Sequence, residues 1–198
     1  MRIIVTRPQH DVTTKYLSAW AEEIIIFARE KGAEVYDLQK EKANQMELGG
    51  RIKKVNPDFV FLNGHGGDGF VSGHDNCIIV SADVNCELLA RRTTYALSCN
   101  SGKVLGRKVA QANNTAYIGY SDEFIFVADR NYLTDPLSDP NARPFKDASN
   151  QVMISLLKGH GAQEASARSK NKFRELYQKL SSSNAGPESR QIAQCLWW

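Results

Sequence analysis

The chain has 198 residues, enough for one domain with a sizeable core, and its 42% hydrophobic and 24% charged residues are ordinary for a soluble globular protein. A net charge of +3, from 25 basic and 22 acidic residues, is too mild to argue for nucleic acid, and the one basic run, Arg168, Lys170, Lys172 and Arg174, reads as a helix face. Four irregularly spaced cysteines (Cys77, Cys86, Cys99 and Cys195) are too sparse for a disulfide-stapled secreted domain, and no stretch reaches the ~18 apolar residues of a membrane span.

The chain opens on Arg2 to Thr6 (RIIVT), a β-branched apolar run that Arg7-Pro8 ends. This run is too short for a signal peptide, so the expected compartment is a reducing cytoplasm, where a free thiol persists. Residues 14 to 31 predict a helix, with Leu17, Trp20, Ala21, Ile24, Ile25 and Ala28 at helical spacing and Gly32 as its stop. Ala33 to Leu38 alternates as a strand, and a helix from about Ala43 to Val55 closes at Asn56-Pro57. Asp58 to Asn63 (DFVFLN) is near-continuously apolar, as suits a strand buried on both faces of a parallel sheet. It breaks into Gly64-His65-Gly66-Gly67-Asp68-Gly69, which reads as too glycine-rich for regular structure. Cys77 to Ser81 predicts another strand, Asp83 a cap for a helix over Cys86 to Ala90, and Thr93 to Ser98 (TTYALS) a strand running into Cys99-Asn100-Ser101-Gly102. A helix over 103–112, a strand over Thr115 to Tyr120, a long Asp-, Asn- and Pro-rich loop from Asp129 to Asn150, and helices over about 145–158 and 162–180 complete the body. Alternating strands and helices predict an α/β protein, a three-layer α/β/α sandwich on a mostly parallel sheet. One domain is expected over 1–180, and 181–198 as a polar tail whose apolar end, Leu196-Trp197-Trp198, docks on the body.

Two strand ends carry chemistry. One delivers His65 inside a glycine cluster; the other delivers Cys99. Ligand sites in such sheets lie at the carboxyl ends of the strands, so both side chains belong at one edge. The pairing makes chemical sense. A free thiol has a pKa near ~8.5 and is a poor nucleophile at neutral pH until an imidazole takes its proton. The same imidazole then protonates a leaving amine. The oxyanion needs amide donors, and the N–H groups of Gly66 and Cys99 are the natural pair.

These two patterns, an apolar strand followed by Asn63-Gly64-His65-Gly66-Gly67 and an apolar strand followed by Ser98-Cys99-Asn100-Ser101-Gly102, resemble the two signatures of the caspase-like (clan CD) cysteine peptidases, especially the CHAT and separase-like branch. Leu105-Gly106 and Ala116-Tyr117-Ile118-Gly119-Tyr120 are similar to the helix and strand that follow that family's cysteine, and Phe145 to Phe173 to the CHAT-type C-terminal helices. The resemblance spans about 58–178. The interval between the histidine and the cysteine is somewhat short for the family, and Asn100 replaces the glutamine often found there. The resemblance implies a cysteine endopeptidase, a hydrolase with His65 as base and Cys99 as nucleophile, oxyanion donors at Gly66 and Cys99, and no cofactor. It places Asp122, with Glu123 beside it, where relatives keep an acidic residue that recognises a substrate Arg or Lys. Ser98 and His74 complete the candidate substrate-binding set; for His74, in His74-Asp75-Asn76, a plain surface turn is the stronger reading. The implied partners are a protein or peptide substrate and a regulatory protein, with neither nucleic acid nor membrane.

Other readings compete. A zinc site from His74-x-x-Cys77 with Cys86 and His65 lacks a second close ligand pair, so no metal is expected; His10 and His160 carry no argument. Gly64 to Gly69 lacks the Lys-Ser/Thr ending of a phosphate-binding loop. A hydrolase nucleophile elbow needs glycine two residues before the nucleophile, where Leu97 stands. A caspase-like interaction module without activity is the rival of a different class. Arg130 and Arg143 make the 129–150 loop a candidate for self-cleavage, against the plainer reading of an uncut surface loop.

Overall fold

The computed structural model describes residues 1–196; the apolar docking expected of Trp197 and Trp198 falls outside them. The chain divides into two compact units, Met1–Phe124 and Ile125–Trp198.

The first unit begins with β1 (Arg2–Arg7) and α1 (Val12–Glu30). Asp11 caps α1. Its Oδ1 accepts the Thr14 amide at 2.7 Å while Thr14 Oγ1 accepts the Asp11 amide at 3.1 Å, a reciprocal box that satisfies two of the helix's unpaired donors. Gly32, at φ +77°, turns the chain out of the helix, with its amide on Arg29 and the Ala33 amide on Ala28. β2 (Glu34–Gln39) and α2 (Gln45–Val55) follow; the Asn44 side chain accepts the Glu47 amide and Asn56, at φ +44°, ends the helix before Pro57. Next come β3 (Phe59–Asn63), β4 (Gly66–Gly67), β5 (Phe70–Ser72), β6 (Ile78–Ser81), β7 (Thr93–Leu97), α3 (Leu105–Val109) and β8 (Ala116–Ile118).

The main sheet runs β2-β1-β3-β7-β8, every pair parallel. The β1-to-β2 crossover steps one way and the β2-to-β3 crossover steps back past β1. Right-handed connections therefore put α1 and α2 on opposite faces, and unit 1 alone is the expected three-layer α/β/α arrangement on a mostly parallel sheet. Both faces are buried, as the unbroken apolar β3 requires. Val60 and Leu62 join Ile4, Ala96 and the α2 residues Leu48, Ile52 and Val55 on one face. Phe61, of opposite pleat, stacks on Tyr95 with ring centroids 5.1 Å apart. Each such side chain withdrawn from water contributes about 1.5–3 kcal/mol.

The passage from β3 to β7 departs from the expected loop and single strand. β4, β5 and β6 form a separate three-stranded antiparallel sheet, whose Val71, Ile79 and Val80 pack into the α2-side core. A 3-10 turn replaces the helix predicted over Cys86 to Ala90, and Asp83 does not cap it; Asn85 turns back instead, its Oδ1 accepting the Ser81 amide at 2.8 Å.

The second unit holds α4 (Arg143–Leu157), α5 (Ala162–Leu180) and α6 (Pro187–Leu196). Ser169 of α5 donates to the Ala148 carbonyl of α4 at 2.8 Å. The loop expected to reach Asn150 ends at Ala142, organised by buried Asp139, whose carboxylate accepts the Asp129 and Asn141 amides at 2.8 Å each. Residues 181–196 are more than a polar tail: Ile192, Ala193 and Leu196 give α6 a buried stripe.

Candidate active site

The switch point of the main sheet, where successive connections leave in opposite directions, lies between β1 and β3, and open parallel sheets bind ligands outside the strand ends there. The β1 tip leads to His10 and Asp11, the β3 tip to Gly64 and His65. The two meet: His65 Nε2 lies 2.6 Å from Asp11 Oδ2, with both side chains 38% exposed. Burial raises the Asp11 carboxyl, but hydrogen bonds from the Thr14 amide and from His65 outweigh it and hold the group below its ordinary range. A carboxylate so held is ionised at neutral pH and only accepts. The ring therefore donates through Nε2, and in its neutral form the lone pair is on Nδ1.

One strand over, Cys99 follows β7. Asn63 pairs with Leu97 in the β3–β7 ladder, and the Gly64 amide reaches the Leu97 carbonyl at 3.4 Å, so His65 and Cys99 leave neighbouring tips at the same level. Two glycines permit this. Gly64 has φ +151°, and a Cβ there would stand 2.1 Å from the Ser72 carbonyl oxygen. A Cβ on Gly66 would stand 2.8 Å from the Cys99 carbonyl oxygen and 2.5 Å from Ser98 Oγ, so the His65 loop lies directly against the cysteine turn. Asn100 takes φ +58°, a left-handed conformation that asparagine tolerates well, which gives a physical reason for its place after Cys99. Positive φ falls on Asn100 and not on Cys99, unlike the strained nucleophile of an elbow.

Cys99 is half-buried. Its sulfur accepts the Phe124 amide at 3.3 Å, and no hydrogen bond joins it to His65 among the described residues. Burial pushes the thiol above its ordinary value; the Phe124 amide pulls it back, and the negative charge of Glu123 adds to the rise. The segment after β8 thus closes over the cysteine turn. The Tyr120 carbonyl accepts the Gly102 amide at 2.8 Å, and the Asp122 carbonyl accepts the Asn100 amide at 2.9 Å. The Phe124 ring packs on Tyr120 with centroids 4.8 Å apart.

The other sequence-predicted residues divide. Asp122 and Glu123 are exposed beside the cysteine turn; Asp122 accepts the Glu123 amide at 2.9 Å, as a turn former does, and Glu123 is the carboxylate whose charge the thiol feels. Ser98 is buried under Gly66 with its hydroxyl unbonded, and so supports the turn from below. His74 is drawn toward the β1 tip, its Nδ1 accepting the Gln9 amide at 3.3 Å and its ring packed edge-on against His10 at 5.4 Å. Arg143 forms the first turn of α4 ahead of Pro144, a poor site for cleavage, whereas Arg130 is exposed in a short 3-10 turn.

Sequence reading missed Asp11 and the Phe124 amide. An aspartate three residues ahead of a threonine at a helix start signals a cap; only the strand order shows that the same carboxylate faces His65. His10 and Asp11 also join His65 in a cluster whose ligand atoms lie within 4.8 Å of one another. No helix among the described residues is long and apolar enough to cross a membrane. No protein-family model matches the chain, and a search of curated proteins finds no match.

Proposed function

We propose that the chain is a cysteine endopeptidase of the caspase-like type, with Cys99 as nucleophile, His65 as base and Asp11 as the residue that positions the base. The observation that carries this reading is the contact of Gly66 with the Cys99 carbonyl, which sets the histidine loop against the cysteine turn at adjacent strand ends. The His65–Asp11 contact supports it: with Nε2 donating to Asp11, the neutral ring keeps on Nδ1 the lone pair that proton abstraction needs.

In the proposed reaction His65 takes the Cys99 proton as sulfur attacks the substrate carbonyl. The Gly66 and Cys99 amides receive the oxyanion. Collapse of the intermediate breaks the C–N bond, and His65 gives its proton to the departing amine, leaving a thioester. Water, deprotonated by His65, attacks the thioester; the acid leaves and the thiol is restored. Asp11 stays ionised throughout and stabilises the imidazolium. The exposed carboxylates of Asp122 and Glu123 favour a substrate with Arg or Lys before the cut bond. The four described cysteines are all free thiols, in keeping with work in a reducing cytoplasm.

A peptide-library digest with Cys99→Ala as control tests the reaction. Cleavage after basic residues that disappears in the variant is expected; equal turnover by the variant discards the reading. Asp122→Ala and Glu123→Gln weaken the basic preference, and an unchanged preference in both removes the pocket role. The second reading, an inactive caspase-like interaction module, draws on the sulfur's bond to Phe124 and its raised pKa. Iodoacetamide separates the two: in an enzyme His65→Ala slows Cys99 labelling, whereas in a module the same change leaves Cys99 labelling unaltered.

A further inference from the structure

His10 has no part in the chemistry above, yet its side chain is only 11% exposed and no hydrogen bond reaches either ring nitrogen. A neutral imidazole carries one donor and one acceptor, and burying both unmet is unfavourable. The ring leans on His65 at 6.0 Å and on His74 at 5.4 Å, and Asp11 Oδ2 lies 3.5 Å from its Nε2.

We propose that His10, Asp11 and His65 bind a divalent transition-metal ion of the zinc type, and that the bound ion silences His65 as a base. Two imidazoles and one carboxylate suit zinc, whereas calcium and magnesium want a shell of oxygens. Ligands about 2.0–2.1 Å from a tetrahedral ion stand roughly 3.3 Å apart. Asp11 Oδ2 is already 2.6 Å from His65 Nε2 and 3.5 Å from His10 Nε2, and the three ligand atoms lie within 4.8 Å of one another, so adjustments of up to about 1.5 Å seat the ion. The partial exposure of His65 and Asp11 leaves a fourth position to water. Outer partners are in place: Asp11 Oδ1 is held by the Thr14 amide at 2.7 Å and hydroxyl at 2.8 Å, and His74, pinned by Gln9, backs the His10 ring.

A metal binds Nε2 only once the proton there has moved to Nδ1, and it then occupies the Nε2 lone pair. The imidazole then has no free lone pair, and Cys99 loses its base. This regulatory half rests on the peptidase reading; the binding half does not.

The full-length chain, freed of metal by chelation, is titrated with zinc chloride by calorimetry and with cobalt(II) by absorbance. One equivalent is expected, with a tetrahedral cobalt spectrum that lacks a thiolate charge-transfer band and is unchanged in Cys99→Ser. His10→Phe keeps the ring's bulk, removes both nitrogens and weakens zinc binding at least tenfold; His10→Gln serves the same purpose if the phenylalanine variant does not fold. Zinc slows Cys99 alkylation at least tenfold in the wild type and not in the His10 variant. Absence of binding, a thiolate band, or equal affinity in the folded His10 variant overturns the site. Metal binding retained in a chain that cleaves no peptide upholds the site and overturns its regulatory role.

Discussion

The two strand tips that meet at the site are in different states of readiness. At the β1–β3 tips the imidazole is anchored: Asp11 holds one ring nitrogen at 2.6 Å and is itself held by the start of α1. At the β7–β8 tips the sulfur rests on the Phe124 amide, its ionisation opposed by burial and by Glu123. The difference teaches that a dyad need not be tuned from both ends. On the proposed reading the base is preorganised and the nucleophile is resting, so an active form depends on shifting the segment after β8 rather than on recruiting the histidine.

The contrast can be broken at either tip. Cys99→Ala carries the largest expected effect and brings peptide cleavage to the uncatalysed background, read by mass spectrometry of a peptide library. Asp11→Asn comes next. Asparagine caps a helix about as well as aspartate, so the melting temperature stays close to wild type. It cannot hold Nε2–H as an anion does, and kcat falls by about a hundredfold to ten-thousandfold. A wild-type rate in a folded Asp11→Asn chain would erase the claimed readiness of the base. Gly66→Ala pushes the His65 loop off the Cys99 carbonyl; a displacement of about 1 Å costs on the order of a hundredfold in kcat/KM, with a smaller loss of stability. The smallest effect sharpens the nucleophile side. Because the thiol's pKa is raised, Cys99 alkylation climbs with pH through a midpoint above the ~8.5 of a free cysteine. Glu123→Gln removes one of the influences that oppose ionisation and moves that midpoint down. A midpoint below that of a free cysteine in the wild type would mean that the sulfur is not at rest.

Much of this was legible in the sequence, and the rest has physical reasons for being hidden. Long apolar runs announce strands buried on both faces, so β3 and β7 were readable, and with them the placing of His65 and Cys99 at one sheet edge. The small antiparallel sheet was not, because β4 consists of Gly66 and Gly67 alone, and two glycines carry neither periodicity nor propensity. Helix α6 hid in polar sequence, its buried stripe only Ile192, Ala193 and Leu196. Asp11 was invisible for another reason. Its local role as a cap fully explains an aspartate at that position, and its second role depends on β3 having crossed to the far side of β1. That crossing is a fact of strand order, which no local pattern encodes. The Phe124 amide escaped because every residue has one; only the path of the chain after β8 aims it at sulfur.

The Asp11 carboxylate divides its two oxygens between the first turn of α1 and the His65 ring. Fraying at the start of that helix, the cheapest local opening a helix has, therefore slackens the imidazole while the core is still intact. Heated slowly, the proposed enzyme loses turnover some degrees before it loses ellipticity, so one side chain ties the proposed chemistry to the cohesion of a helix end.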